Sequence, residues 1–106
     1  MIISTTENIP KKEIIEILGI ARGSTVRAKN VASDFLSGLK NIVGGELNEY
    51  TKLQAQSREQ ALHRMSEDAQ RLGADAVVNV RITSSTITQG ASEILAYGTA
   101  VKFQSK

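Results

Sequence analysis

At 106 residues, with 41% hydrophobic and 23% charged residues, the chain has the size and composition of a single domain spanning 1–106. Thirteen basic against eleven acidic residues leave a net charge of +2, too balanced to mark a nucleic-acid partner, and with two Phe, two Tyr and no Trp there is no base-stacking surface. Cysteine is absent, which excludes disulfides, thiolate metal ligation and a cysteine nucleophile.

Met1 to Thr5 is β-branched and reads as a strand, broken at Glu7-Asn8-Ile9-Pro10 because proline has no amide hydrogen for a ladder. Lys12 to Ile20 is a second, isoleucine-rich strand. Its aliphatics fall on both parities, Ile14, Leu18 and Ile20 against Ile15 and Ile17. Opposite parities point to opposite faces of a strand. A half-buried strand needs only one apolar face, so the second face calls for a cover, either from the same chain or from another subunit. Gly23-Ser24 reads as a turn or bulge, and Thr25 to Lys29 continues extended.

The period then changes. Ala32, Phe35, Leu36, Leu39, Ile42 and Val43 are spaced as one helical stripe, a short helix that ends at Gly44-Gly45. A long helix follows, from Glu46 or Leu47 to Leu72, with Gly73 as its stop. Its face reads Leu47, Tyr50, Gln54, Arg58, Ala61, Met65, Ala69 (or Asp68) and Leu72, widened by Leu53 and Leu62. Gln54 and Arg58 stand where a helix packed on a sheet would carry aliphatics. On the opposite face Arg64–Asp68 and Glu67–Arg71 are i,i+4 pairs of a solvated surface.

Ala76 to Thr83 is a strand with Val78, Val80 and Ile82 as its apolar face. Ser84 to Gln89 reads as strand end running into a turn with Gly90 at its tip. In the last strand, Glu93 to Phe103, Leu95, Tyr97, Thr99, Val101 and Phe103 share one face, while Ile94, Ala96, Gly98 and Ala100 share the other. That second set is small, which invites a close approach by another element. The N-terminus lacks the basic start and apolar run of a signal peptide, and no stretch nears the roughly 20 apolar residues of a membrane span. A soluble cytoplasmic protein with no membrane partner is expected. At this length only about two-thirds of the unfolded surface is buried on folding, so partner subunits would add appreciably to stability.

Several of these stretches carry a resemblance. Asp34-Phe35-Leu36-Ser37-Gly38-Leu39-Lys40-Asn41-Ile42-Val43-Gly44-Gly45, Tyr50 with Arg58 and Ala61, Leu72-Gly73-Ala74-Asp75-Ala76-Val77-Val78 and Gly98-Thr99-Ala100-Val101 resemble, in this order, the signature of the YbjQ family of small bacterial and archaeal proteins, as does the early Ser4-Thr5-Thr6. The chain departs from the common pattern at Glu46 and Ser33, where members usually carry a basic residue and an arginine. The resemblance implies an α+β, dodecin-like β-α-β-β subunit, with an antiparallel sheet packed by one long and one short helix, assembled as a homopentameric ring. Members are uncharacterised, and some carry a heavy-metal-binding label.

The single histidine limits metal chemistry. On a helix His63 shares a face with Glu59 and Glu67, one turn away on either side, a spacing equally expected of solvated surface residues. No metal site and no cofactor is assigned from it. The stronger candidate is Arg58 with Asp34, Tyr50 and Gln54. A charge within an apolar stripe pairs with a carboxylate or lies at a subunit boundary. An inter-subunit ion pair or hydrogen-bond cluster is the preferred role, and a small anionic ligand held by Arg58 at the ring interface the alternative. No G-x-S-x-G elbow and no G-x-x-x-x-G-K-[ST] loop occurs. The expectation is a non-enzymatic homo-oligomeric protein, with a small-ligand or metal-binding role at subunit interfaces; an enzyme with its active site at such an interface is the rival.

Overall fold

The computed structural model describes residues 1–27 and 48–106, and the side chains of the helix from Gln54 onward. Over these residues the order is β1 (Ile2–Ile3), β2 (Lys12–Arg27), α1 (Asn48–Arg71), β3 (Ala76–Thr88) and β4 (Ala91–Ser105). The sheet runs β1-β3-β4-β2. β3–β4 and β4–β2 are antiparallel, but β1 pairs parallel with β3. The sheet is therefore mixed, where a wholly antiparallel one was expected, because the chain must cross over through α1 between the first strands and β3. The short helix expected over 32–43 lies outside the described residues.

A turn separates β1 from β2. Pro10 occupies its second position and Lys11, at φ 65°, its third, while the Lys12 N–H donates to the Ile9 carbonyl at 3.1 Å. β2 then runs unbroken for 16 residues. Two bulges interrupt its pairing with β4, between Ile14 and Glu16 and between Ile17 and Gly19. They overturn the parity argument, since each inserts one residue and resets which face the next side chain meets. Ile14, Ile17 and Ile20 stand opposite Phe103, Val101 and Thr99, three positions of one β4 face. Leu18, by contrast, packs on the helix side.

α1 ends as the Gly73 stop foretold. The Gly73 N–H reaches the Gln70 carbonyl at 3.0 Å and the Ala74 N–H reaches Ala69 at 3.1 Å, with Gly73 at φ 80°. This is the paired closure of a Schellman motif, and Ala69 and Ala74 meet in the core behind it. The buried line of α1 is Ser57, Ala61, Met65 and Ala69, an unbroken step of four. Arg58 is exposed, so the polar residue the stripe carries at this level is Ser57.

A strand bulge also corrects the reading of β3. Asn79, at φ 54°, is the extra residue between the pairs Val78–Thr99 and Arg81–Tyr97. Its N–H and that of Val80 are taken by the Thr6 and Ser4 carbonyls, each at 3.0 Å. Val77 and Val80 consequently both join the helix-side core, with Ala21, Ala61, Met65, Ala69, Ile94, Ala96 and Ala100. Val78 turns the other way, to a smaller cluster with Ile9, Ala76 and Val101, and Ile82 is 43% exposed. Val78, Val80 and Ile82 thus do not share one buried face.

The small face of β4 behaves as its composition implied. α1 lies over Ala96 and Ala100, and a Cβ placed on Gly98 would sit 2.6 Å from Val77 Cγ1. Past Thr83, β3 and β4 continue as a hydroxyl-rich arm to a two-residue turn, Gln89-Gly90, with Gly90 at φ 81°. β3 reaches Thr88, so the Ser/Thr run read as strand end and turn is strand almost throughout.

Candidate functional site: the groove between the helix and the sheet edge

The geometry starts at Gly23. A Cβ there would lie 2.2 Å from Met65 N and 2.4 Å from the Ala61 carbonyl oxygen. Glycine lets the helix backbone rest directly on the strand, so the segment read as a turn is the point of closest approach. Helix and strand run in opposite directions, and their side chains interlock. Thr25 donates to the Ser57 carbonyl at 3.1 Å and Arg27 Nε to Ser57 Oγ at 3.0 Å. Further along, Arg64 donates to the Ser24 carbonyl at 2.5 Å, and the Asp68 carboxylate accepts the Arg22 N–H at 3.0 Å.

These contacts leave a cavity of about 1030 Å³ where α1 crosses the outer edge of β2. Three arginines line it, Arg22, Arg64 and Arg71, with Glu67, Glu93 and the apolar Leu95. Arg71 pairs with Asp68, and Arg64 is fixed by Ser24. The Arg22 guanidinium has no partner among the described residues. Guanidinium forks match carboxylates and phosphates, while the two glutamates favour a ligand that also carries a cationic group.

The residues singled out from sequence do not assemble here. Asp34 lies outside the described residues, and Tyr50 is placed only as a position on α1. Gln54 lines a separate pocket of about 270 Å³ with Ser84, Ser85, Thr86, Ser92 and Ile94, and Arg58 is solvent-exposed. The pairs assigned to the solvated face are also rearranged. Asp68 serves Arg71 and β2, Arg64 serves β2, and Glu67 meets His63 at 3.3 Å. The sequence does not reveal the arginine groove, because nothing local links Arg22 to α1 and the i,i+4 spacing pairs Arg64 and Arg71 with carboxylates of their own helix. The available signal was the seven-residue spacing of Arg64 and Arg71, two turns on one helix face.

His63 and Glu67 are 75% and 60% exposed at the side chain. Among the described residues no three His, Cys, Asp or Glu side chains converge as a metal site would require.

Known proteins place the chain in context. A family profile described as "Putative heavy-metal-binding", that of the YbjQ family, matches residues 1–104. A UPF0145 protein of Methanosarcina acetivorans is 57% identical over 106 residues, covering all of both chains. One from Archaeoglobus fulgidus is 58% identical over 98% of this chain and 96% of its own. A bacterial relative from Vibrio campbellii is 55% identical over 96% of this chain and 98% of its own. Among solved structures, a Pediococcus pentosaceus protein of unknown function from the DUF74 family superposes with a TM-score of 0.63 at 13% identity, over 98% of each chain, a likeness of fold. With a match along almost its whole length, this chain belongs to the YbjQ family, whose UPF0145 members occur in archaea and bacteria.

Proposed function

We propose that this chain is a non-enzymatic building block of a cytoplasmic homo-oligomeric ring, a pentamer by family resemblance, whose subunit boundaries hold a small ligand. The observation that carries the reading is the exposed aliphatic row of β2. Ile15, Ile17, Ile20 and Val26 are 54%, 72%, 62% and 54% exposed on an edge strand. A long apolar edge is a template for self-association unless a partner covers it. The shape agrees, because a radius of gyration of 17.3 Å exceeds the roughly 13 Å of a compact chain of this length. No described helix is long and apolar enough to cross a membrane. The arginine groove, with its apolar Leu95 wall, is the place for the ligand.

Native mass spectrometry of freshly purified protein tests both parts at once. A discrete multiple of the 11.4 kDa chain is expected, with any co-purifying ligand as added mass. A single-chain mass at micromolar concentration would overturn the assembly.

The family's heavy-metal description does not fit the donors of this chain. There is no cysteine, the one histidine sits on an exposed helical face with a single carboxylate in contact among the described residues, and Met65 is buried in the core. Calorimetric titration with zinc or copper is expected to show no tight site, and His63→Ala to leave the isotherm unchanged. Tight binding that disappears in that variant would reverse this conclusion.

A further inference from the structure

Among the described residues the order β1-β3-β4-β2 leaves two sheet edges without a partner strand, the outer sides of β1 and β2. They are not equally open. In an antiparallel ladder alternate residues turn their backbone groups away from the partner strand. Arg22 and Ser24 are such residues in β2, and helix side chains occupy both of them. Asp68 accepts the Arg22 N–H, and Arg64 donates to the Ser24 carbonyl. Two side chains, one of each sign, thereby close the half of β2 that lies beneath α1. On the other half, Glu13–Ile20, no helix side chain bonds the strand backbone among the described residues.

The open half also carries Ile15, Ile17 and Ile20 of the exposed row, while Val26 lies on the closed half. Ile17 and Ile20 lie on the face away from α1, opposite Val101 and Thr99. At the far edge of the sheet Met1, Ile2 and Ile3 are 47%, 40% and 40% exposed, and Ile2 stands opposite Ala76, on that same face. Among the described residues each end of the sheet thus offers unpaired backbone together with exposed aliphatics on a matching face. One chain supplies both halves of a single contact.

We infer that copies of this chain join head to tail, the β1 edge of one copy adding to the Glu13–Ile20 half of β2 in the next, while Asp68 and Arg64 hold the rest of that strand shut. The inference rests on the homo-oligomeric reading above and specifies its contact. Such an interface uses two different surfaces, so each copy keeps one free end until rotation brings the last onto the first. The closed half of β2 limits the added strand to a short one, and β1 with the residues after it is short.

The absence of native cysteine makes the contact testable in the full chain. Ile2→Cys combined with Ile17→Cys, treated with a short bifunctional maleimide, is expected to give a ladder of covalent multimers on a denaturing gel. The maleimide tolerates a register offset that a disulfide does not. Ile2→Cys combined with Val26→Cys is expected to give none, and a ladder there would show the upper half of β2 to be open. Dimers from Ile17→Cys alone would mean that β2 meets β2, which also overturns the inference. The native mass of each variant is measured beforehand. A discrete oligomer without a ladder in the first pair removes this contact but keeps the assembly; a single-chain mass in the unsubstituted protein removes both.

Discussion

Replacing Gly23 by alanine is expected to cost about 3 kcal/mol or more, the upper range of overpacking penalties. In a domain of this size that is a fall in melting temperature of roughly 10–20 °C. The added methyl has nowhere to go, since its nearest neighbours are Met65 N at 2.2 Å, the Ala61 carbonyl oxygen at 2.4 Å and the Arg64 carbonyl carbon at 2.6 Å. All three are backbone atoms, so no rotamer change relieves the contact and the helix itself has to lift. Lifting it loosens Met65 and Ala61, both fully buried, and lengthens the Thr25–Ser57 hydrogen bond. Thermal melts followed by circular dichroism decide the matter. A Gly23→Ala protein that melts within 2 °C of the parent (roughly 0.3–0.5 kcal/mol at this size) would mean that the helix does not rest on this strand.

The second large effect concerns assembly. The double substitution Ile17→Lys, Ile20→Lys is expected to reduce the particle from a discrete oligomer to one 11.4 kDa chain in light scattering. The subunit itself should barely change, because the two side chains are 72% and 62% exposed and surface substitutions of this kind are usually worth within about 0.5 kcal/mol. The pairing of outcomes matters. Loss of mass with an unchanged far-ultraviolet spectrum identifies an interface, whereas loss of both identifies a folding defect. An unchanged oligomer would show that these isoleucines are not covered by a second copy.

How much of this was legible in the sequence follows from how local each feature is. The C-terminus of α1 was readable because Gly73 acts on the three residues before it. The small face of β4 was readable because a period of two survives wherever a strand has no bulge. Gly23 was misread as a turn because its reason lies some 40 residues away, in the backbone of Ala61 and Met65. The strand bulges at Ile15, Leu18 and Asn79 are equally invisible to a parity argument, which assumes the regularity that they break. Arg58 was taken for the buried position because residues at steps of three and of four were equally admissible there. From Ser57 to Ala69 the structure chooses steps of four, and the strand closes at Gly23 on the backbone of Ala61 and Met65. As for the site, side chains on α1 were paired with neighbours on the same helix. Arg64 and Asp68 in fact bond the backbone of β2, and no helix-only rule could anticipate that. The family assignment needed none of this, since it rests on short motifs kept in order along the chain.

The bulge at Asn79 has a further consequence for how the length of this chain can drift. It works as a dislocation works in a crystal. Before it the odd position Val77 faces the helix; after it the even positions Val80, Ile82 and Ser84 stand opposite the helix-side residues of β4. Deleting or duplicating one residue upstream of the fault would move Val77 and Val78 to each other's faces and scramble two clusters at once. In the arm beyond it, Ser84, Ser85 and Thr86 present hydroxyls to both sides, so the same frameshift leaves the chemistry of either face nearly unaltered. Along β3 and β4, tolerance for indels thus lies in the arm around Gln89-Gly90, where a lineage can lengthen or shorten the hairpin without touching the core.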